Sequence, residues 1–287
     1  MKLILGGAQF GMAYGATNEM GRPTDDIISD IFQSAKASGI DMIDTAPAYG
    51  NSEATIGGTP SAADFAIVTK TAARAEQLKE PNAISNQFAR SLDLLGRSQV
   101  EGLLFHNSDI LVGSNGHRLW AEAQDLKDAG KVAKIGVSVY DAAQIEQILD
   151  RNTPDIIQLP INALDKRLEA SGILKDLTRL GIEVHARSVL LQGLLIADPE
   201  KIAPRFHILA GHIRSWQAAV AINGLTPLAA ALGYIRSQSA VSRIIVGVQS
   251  LAQLVEIIAA YNNPATFVEY GEHGISDPAL IDPRYWS

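Results

Sequence analysis

Residues 65–70 read FAIVTK, a short run of apolar and β-branched residues that ends in a lysine. Seven other segments have a similar apolar character, and longer stretches with helical periodicity lie between them. In chain order the eight runs are LILGG (3–7), DMID (41–44), FAIVTK (65–70), EGLLFH (101–106), AKIGVSV (133–139), DIIQLP (155–160), IEVHARS (182–188) and RIIVGV (243–248). Buried, β-rich runs that alternate with amphipathic helices are typical of a parallel sheet covered by helices.

The intervening stretches have the spacing of helices with one buried face. This face comprises Ile27, Ile28, Ile31, Phe32 and Ala35 in residues 25–38, and Ile84, Phe88, Leu92 and Leu95 in residues 82–95. Thr24 and Asn82 are the predicted N-caps of these two helices. Predicted helix ends are followed by glycine, which suits the left-handed backbone found there, at Gly39, Gly96, Gly130 and Gly181.

Eight such strand–helix units predict an α/β protein with a closed (β/α)₈ barrel, the TIM-barrel fold. A doubly wound open sheet is the alternative, and it is disfavoured because no strand is followed by the G-x-G-x-x-G pattern. The glycine-rich stretch GGAQFGMAYG (6–15) opens no clear helix. No linker divides the chain, so we predict a single domain over residues 1–287; residues 189–224 are the least regular part.

Composition narrows the functional classes. The net charge is −7 with no basic tract, which argues against nucleic-acid binding, and the absence of cysteine excludes disulfides and thiolate metal sites. The N-terminus lacks the pattern of a signal peptide, and no run of eighteen apolar residues suggests a membrane span. We therefore expect a soluble, cytoplasmic protein without a nucleic-acid or membrane partner, and the oligomeric state stays open.

Polar side chains stand at the ends of three successive predicted strands. Asp44 ends the second strand, Tyr49 follows in the loop, Lys70 ends the third strand and His106 ends the fourth. Barrel enzymes hold their chemistry at the carboxyl ends of the strands. An acid can fix the lysine, the ammonium can lower the pKa of the phenol from its usual value of about 10, and a histidine can bind a substrate oxygen.

Each of these residues alone also has a structural explanation. A lysine at a strand end is usually a solvated rim charge, a lone histidine is more often structural, and Asp44 and Tyr49 could cap a turn and fill space. Their convergence at successive strand ends favours a catalytic site, with Tyr49 handling a proton.

The motifs resemble the aldo-keto reductase superfamily over nearly the whole chain. The resemblance rests on the order and spacing of IDTAPAYGNSEATIG (43–57), VTK (68–70), GLLFHNSD (102–109), GKVAKIGVSV (130–139), VGVQSLAQL (246–254) and the closing DPRYW. It implies a carbonyl oxidoreductase that uses NADP or NAD. The nicotinamide would exchange a hydride with an aldehyde, ketone or sugar-like substrate, and Tyr49 would donate or accept the proton, assisted by Asp44, Lys70 and His106, without a metal.

The resemblance also implies cofactor-binding positions. Ser138 and Gln158 match the residues that bind the nicotinamide carboxamide, and Asp44 borders this site. The remaining positions that the resemblance assigns to the cofactor are Gly7, Arg187, Gly247, Gln249, Ser250, Gln253 and Glu256. The alternative for Gln158 is a buried glutamine paired with backbone, and the alternative for Ser250 is a plain helix N-cap.

Three features depart from many family members. Val139 stands where an asparagine is common, and Arg187 stands where an aromatic residue would stack on the nicotinamide. No lysine or arginine lies near Gln249 to bind a 2′-phosphate, and Arg243 is expected to point to the opposite face. NADP therefore remains the expected cofactor by resemblance alone, with NAD as the alternative.

Two further hypotheses stay open, a cofactor-binding regulatory or accessory protein with little turnover and a barrel enzyme of other chemistry, such as a lyase. The substrate is not named by the sequence. Specificity is expected to come from loops 107–120, 189–224 and 264–287, with Trp120, Trp216 and Trp286 as candidate pocket walls.

Overall fold

A computed structural model describes residues 1–71, 76, 80–263 and 273–286. Eight parallel strands form a closed barrel in which each strand pairs with its neighbours in chain order and β8 pairs with β1. The strands are β1 (Lys2–Gly6), β2 (Met42–Asp44), β3 (Ala66–Lys70), β4 (Val100–Phe105), β5 (Val132–Ser138), β6 (Ile156–Pro160), β7 (Glu183–Arg187) and β8 (Val241–Gly247). The predicted (β/α)₈ barrel is confirmed, and the open-sheet alternative is wrong.

Helices cover the outside of the barrel. They are α1 (Ala8–Gly11), α2 (Asp25–Ala37), α3 (Ser52–Gly58), α4 (Ala83–Leu95), α5 (Gly116–Asp128), α6 (Ala142–Leu149), α7 (Arg167–Ala170), α8 (Ile173–Arg179), α9 (His207–Ile222), α10 (Pro227–Ser237), α11 (Leu251–Asn262) and α12 (Pro278–Ile281). Short 3₁₀ segments occur at Pro60–Ala62, Ser108–Leu111, Leu191–Ile196, Pro199–Lys201, Pro204–Phe206 and Pro283–Tyr285. The larger hydrophobic core lies between these helices and the strands.

The interior of the barrel is a second, smaller core to which β1, β2, β3, β4 and β6 each contribute one buried residue. Its buried members are Ile4, Met42, Val68, Leu104 and Ile156. Side chains two residues apart on a strand point to the same face. The positions two residues further along these strands therefore face the barrel axis at its carboxyl end, and they are occupied by Gly6, Asp44, Lys70, His106 and Gln158. This alternation is the structural reason that the polar residues converge.

The helix signals were mostly reliable. Thr24 caps α2, because its side chain accepts a hydrogen bond from the amide of Ile27. Asn82 precedes α4 but makes no capping bond and has a left-handed backbone, with φ 59°. Glu122 of α5 replaces it by accepting a hydrogen bond from the amide of Ile84 at 3.0 Å. The four predicted helix-ending glycines all have positive φ.

One local prediction was wrong: a one-turn helix, α1, does open within the glycine-rich stretch, directly after Gly7. The segment 189–224, predicted as the least regular part, contains three short 3₁₀ segments followed by the regular helix α9. No single helix in the described ranges has the length and hydropathy to cross a membrane, although one sharply bent pair, residues 204–222 with 227–237, meets those two criteria together.

Candidate active site

The centre of the site is an ion pair between the ends of two adjacent strands. The Lys70 ammonium lies 2.9 Å from Oδ1 and 2.7 Å from Oδ2 of Asp44. It also donates to the Thr45 carbonyl oxygen at 3.0 Å, so the three acceptors match the three protons of an ammonium. The lysine side chain is fully buried. Desolvation lowers the pKa of Lys70, and the attraction of Asp44 opposes that shift.

Tyr49 lies above this pair, in the loop that follows β2. The Lys70 nitrogen is 5.0 Å from the centre of the phenol ring, and the ring meets His106 edge to face at 5.7 Å. Burial raises the pKa of Tyr49, the negative charge of Asp44 raises it further, and Arg187 acts in the opposite direction. The predicted net lowering of this pKa is therefore wrong, because burial of the phenol has the larger effect and the negative charge of Asp44 adds to it.

His106 completes the group from the end of β4. Burial lowers the pKa of His106 to about 3, and the charges of Lys70 and Arg187 contribute in the same direction. The imidazole is thus neutral at physiological pH. Its Nδ1 atom is buried and has no hydrogen-bond partner in the part of the chain that the structure describes. A neutral imidazole beside a phenol can hold a polar substrate atom without adding another positive charge.

A cavity of about 580 Å³ opens over these residues. Most of the predicted site residues line it, namely Gly7, Asp44, Tyr49, His106, Ser138, Gln158, Arg187, Gly247, Gln249, Gln253 and Glu256. Lys70 and Ser250 lie behind the wall, where Lys70 binds Asp44 and Ser250 caps a helix. The structure therefore brings the predicted residues to one place, while their roles stay predictions.

Ser138, the last residue of β5, lies beside Gln158 in the middle of β6. The Gln158 amide nitrogen donates to Oδ1 of Asp44 at 2.7 Å, so its partner is a carboxylate and not the backbone. Gln158 therefore links the cavity wall to the Asp44–Lys70 pair. Both residues carry the neutral polar groups that would suit a carboxamide.

The other end of the cavity is the start of α11. The Ser250 hydroxyl accepts a hydrogen bond from the backbone amide of Gln253. The side-chain oxygen of Gln253 accepts one from the backbone amide of Gln249 at 2.7 Å. The first two amides of the helix, those of Leu251 and Ala252, have no partner within the helix and can bind an anion.

A Cβ at position 247 would lie 2.4 Å from the side-chain amide nitrogen of Gln9, so this flexible side chain would have to move. Glycine leaves the backbone at the end of β8 open to the cavity without such a shift. A polar end at Ser138 and Gln158, this open backbone and the start of α11 together fit an elongated dinucleotide along the cavity.

Arg187 does not lie free for stacking on a ligand ring. Its guanidinium donates to the Val139 carbonyl oxygen at 2.9 Å and stands 4.1 Å from the centre of the Tyr140 ring. Arg243 lies at the amino end of the barrel, paired with Asp41 at 2.8 Å, as expected from the sequence.

Several cavity residues were missed by sequence reasoning. Gln9, Tyr14 and Gln192 line the cavity, and the Gln192 amide donates to the Tyr14 hydroxyl at 3.3 Å. Burial raises the pKa of Tyr14 to about 12. The glycines that flank Gln9 in the sequence were the only local pattern that could have pointed to Gln9 as a cavity residue. Arg284, in the closing DPRYW motif, also lines the cavity, and nothing in the motif indicates this position.

The tryptophans and one of the predicted specificity loops belong elsewhere. Trp120 stacks on Phe105, Trp216 is buried in the core, and Trp286 packs edge to face on Phe206. The described loop 107–120 contributes nothing to this cavity, whereas residues 14–17 do. Of the third loop, residues 264–272 and 287 lie outside the described residues, and Pro283 and Arg284 line the wall.

The fold and the site define a (β/α)₈ barrel with a group of buried ionisable side chains at its carboxyl rim, next to a cavity. Comparison with known proteins agrees with this class. The model of the family described as "Aldo/keto reductase family" matches residues 2–272, and the chain belongs to that family of oxidoreductases, whose cofactor is a nicotinamide dinucleotide.

Individual relatives are distant. The chain is 28% identical over 273 residues to the NADH-specific methylglyoxal reductase of Escherichia coli K12, an alignment that covers 82% of this chain and 83% of that protein. It is 27% identical over 274 residues to L-galactose dehydrogenase of Arabidopsis thaliana, with 89% and 82% covered. A holo-form aldo-keto reductase structure from Bacillus halodurans superposes with a TM-score of 0.73 at 20% identity, covering 95% of this chain and 90% of that one. The last likeness concerns the fold alone.

Proposed function

We propose that the protein transfers a hydride between a nicotinamide cofactor and the carbonyl carbon of an aldehyde, ketone or sugar-like substrate, with Tyr49 as the proton donor or acceptor. The observation that carries this proposal is the buried Lys70–Asp44 pair directly below Tyr49, beside a neutral His106. A buried ion pair of this kind is costly to form, and perturbed groups in a cavity favour a catalytic explanation.

The roles follow from the contacts. When bound, the cofactor supplies or takes up the hydride. In reduction, the carbonyl oxygen gains negative charge as its carbon is reduced, and the Tyr49 hydroxyl gives it a proton; oxidation reverses both transfers. The raised pKa keeps the phenol protonated at neutral pH until that charge develops. His106 holds the substrate oxygen as a neutral imidazole, and Lys70, anchored by Asp44, stabilises the transient phenolate.

Ser138 and Gln158 would hold the nicotinamide end, and the start of α11 would hold the phosphates. NADP is expected from the family resemblance, yet the wall around Gln249 offers neutral donors, and Glu256 would repel a 2′-phosphate that came close. We therefore expect weak discrimination, below about 100-fold, because a charged contact contributes only about 1–2 kcal/mol more than a neutral one. The Escherichia coli relative, named as NADH-specific, is consistent with use of NAD(H).

A panel of aldehydes and ketones, assayed with NADH and with NADPH by nicotinamide absorbance, tests the proposal. Turnover with either reduced cofactor is the expected result. Tight cofactor binding by fluorescence without turnover on any substrate would instead favour the regulatory or accessory hypothesis. Absence of cofactor binding would favour a barrel enzyme of other chemistry.

A further inference from the structure

One wall of the cavity carries two arginines that share a single aromatic ring. The Cζ atoms of Arg187 and Arg284 lie 4.1 Å and 3.8 Å from the centre of the Tyr140 ring. Arg284 is compensated, because the fully buried carboxylate of Asp282 binds its guanidinium at 2.6 Å and 3.0 Å, with Asp141 at 4.0 Å. Of these two arginines, Arg187 is the one whose positive charge is not compensated by a carboxylate among the described residues.

The partners of Arg187 are neutral. It donates to the Val139 carbonyl oxygen at 2.9 Å and to the Ser188 hydroxyl at 3.4 Å. Within residues 1–71, 76, 80–263 and 273–286, no carboxylate forms an ion pair with its guanidinium. A guanidinium has five N–H donors, so most of its capacity remains unused. A half-buried, incompletely satisfied cation in a cavity wall is suited to bind an anion.

The direction of the side chain indicates which ligand brings that anion. Arg187 starts on β7, but its guanidinium reaches Val139, at the end of β5. It therefore extends away from β8 and the start of α11, where the cofactor phosphates are proposed to bind. Glu256 faces the cavity from α11, so the two ends of the cavity differ in charge. Arg187 also helps to lower the pKa of His106, which indicates that its charge is felt where the substrate oxygen would sit.

We propose that Arg187 is a substrate-binding residue that selects carbonyl compounds carrying an anionic group, such as a carboxylate, close to the carbonyl. This inference rests on the proposed function and specifies its substrate class. The Tyr140 ring lies against the Arg187 guanidinium, whose Cζ atom is 4.1 Å from the ring centre.

The test uses substrate pairs that differ in charge and by one methyl group, 4-carboxybenzaldehyde with its methyl ester and glyoxylate with its methyl ester. For the wild-type protein we expect kcat/KM to be at least about tenfold higher for each acid than for its ester. Arg187→Gln should abolish this ratio, mainly through a higher KM for the acids. Arg187→Lys should restore part of the acid-to-ester ratio, because lysine keeps the positive charge but lacks the planar guanidinium. Arg214→Gln, an equal loss of charge on the exposed face of α9, is the matched control and should change nothing.

The affinity for NADH, measured by fluorescence, separates the two sources of an anion. An unchanged affinity in Arg187→Gln supports the proposal. If the variant instead weakens NADH binding tenfold while the acid-to-ester ratio persists, Arg187 serves the cofactor and the proposal is wrong. A wild-type ratio of one or less also overturns it.

A binding measurement distinguishes this inference from the proposed function. If no carbonyl compound is turned over, the proposed function fails, and calorimetry with benzoate and benzamide still reports on Arg187. If the wild type binds benzoate more tightly than benzamide and Arg187→Gln does not, the anion site at Arg187 is supported even without turnover. Equal or absent binding of both compounds by the wild type would remove it.

Discussion

Both ends of the barrel hold clusters of paired charged residues, which come from different strands, and an apolar layer lies between the two ends. At the carboxyl end, Asp44 and Lys70 are paired with side chains only 4% and 0% exposed. At the amino end, Glu183 binds Lys134 at 2.7 Å and Arg243 at 3.2 Å, and these three side chains are 17–34% exposed. The same residue types therefore form an almost dry pair at one end and a partly hydrated network at the other.

This difference in hydration sets the direction of the pKa shifts. At the amino end, a hydrogen bond from His185 and contacts with Lys134 lower the pKa of Glu183, and pairing raises the pKa of Lys134 against the effect of desolvation. At the carboxyl end, desolvation shifts the pKa values of Lys70, Tyr49 and His106 against their charged forms. The amino-end network has the pKa shifts of a stabilising ion-pair network, whereas the shifts at the carboxyl end are those on which the proposed proton transfer rests.

The largest difference in kcat between the two ends of the barrel is expected when one tyrosine hydroxyl is removed at each end. Tyr49→Phe should lower kcat about 10²- to 10⁴-fold and leave cofactor affinity nearly unchanged, because a positioned proton donor is lost while the groove remains intact. Tyr261→Phe is the control, since that hydroxyl donates to the Met1 carbonyl oxygen at the amino end. Steady-state kinetics decide; a Tyr49→Phe protein that keeps more than half of wild-type kcat would refute the role.

Removal of one lysine at each end is the next comparison. Lys70→Met should slow turnover roughly 100-fold. It leaves Asp44 uncompensated beside the phenol, which raises the pKa of Tyr49 further and moves the pH profile of alcohol oxidation to higher pH. The unpaired buried carboxylate should also destabilise the fold by about 3–5 kcal/mol.

Lys134→Met should cost only about 1 kcal/mol, because its ion pairs are partly exposed, and should leave the rate unchanged. Denaturant unfolding and pH–rate profiles of both variants provide the measurement. A Lys70→Met enzyme with a normal rate and an unshifted profile would contradict the proposed function of Lys70.

Acid should destabilise the two ends in different pH windows. His106 binds a proton less readily in the folded state, with a pKa of about 3 against 6.5, so the unfolded state takes up more protons between these values. Stability should therefore decline on acidification from about pH 6.5, by up to about 1.4 kcal/mol per pH unit from this group. Glu183 has a lowered folded pKa, so its contribution is present above about pH 4.3 and is lost below it.

Urea unfolding of His106→Gln and Glu183→Gln between pH 3 and 8 resolves these contributions. In His106→Gln, the free energy of unfolding should no longer decline between about pH 6.5 and pH 4.3 as it does in the wild type. In Glu183→Gln, only the decline below about pH 4.3 should be lost. Identical pH dependences for both variants and the wild type would contradict the comparison.

The smallest effect is expected at the start of α11. Gln249→Arg should shift the cofactor preference toward NADP(H) about tenfold, because it adds a cation where the wall is neutral. Titration of NADH and NADPH against both proteins gives the ratio, with Arg214→Gln as a charge control. A wild-type preference for NADPH above about 1000-fold would mean that another cation already reaches the 2′-phosphate.

Much of this arrangement followed from local sequence patterns. The apolar runs marked the eight strands, and the two-residue alternation that puts Met42 and Val68 inside the barrel also directs Asp44 and Lys70 to its rim. Thr24 was a reliable cap because its partner is three residues away. Asn82 was not a reliable cap, because the group that accepts the hydrogen bond at the start of α4 is Glu122, forty residues further along the chain.

The sequence by itself determined the barrel, its family and the residues at the strand ends, because strand periodicity and short motifs are local properties. The tertiary structure alone decided that the pKa of Tyr49 rises, because burial and, after it, the negative charge of Asp44 disfavour the phenolate. It also decided that Arg187 turns toward Tyr140 and that Arg284, almost a hundred residues later, stands beside it. Burial and the sum of neighbouring charges depend on segments distant in sequence, and these set the pKa values and the charge of the cavity.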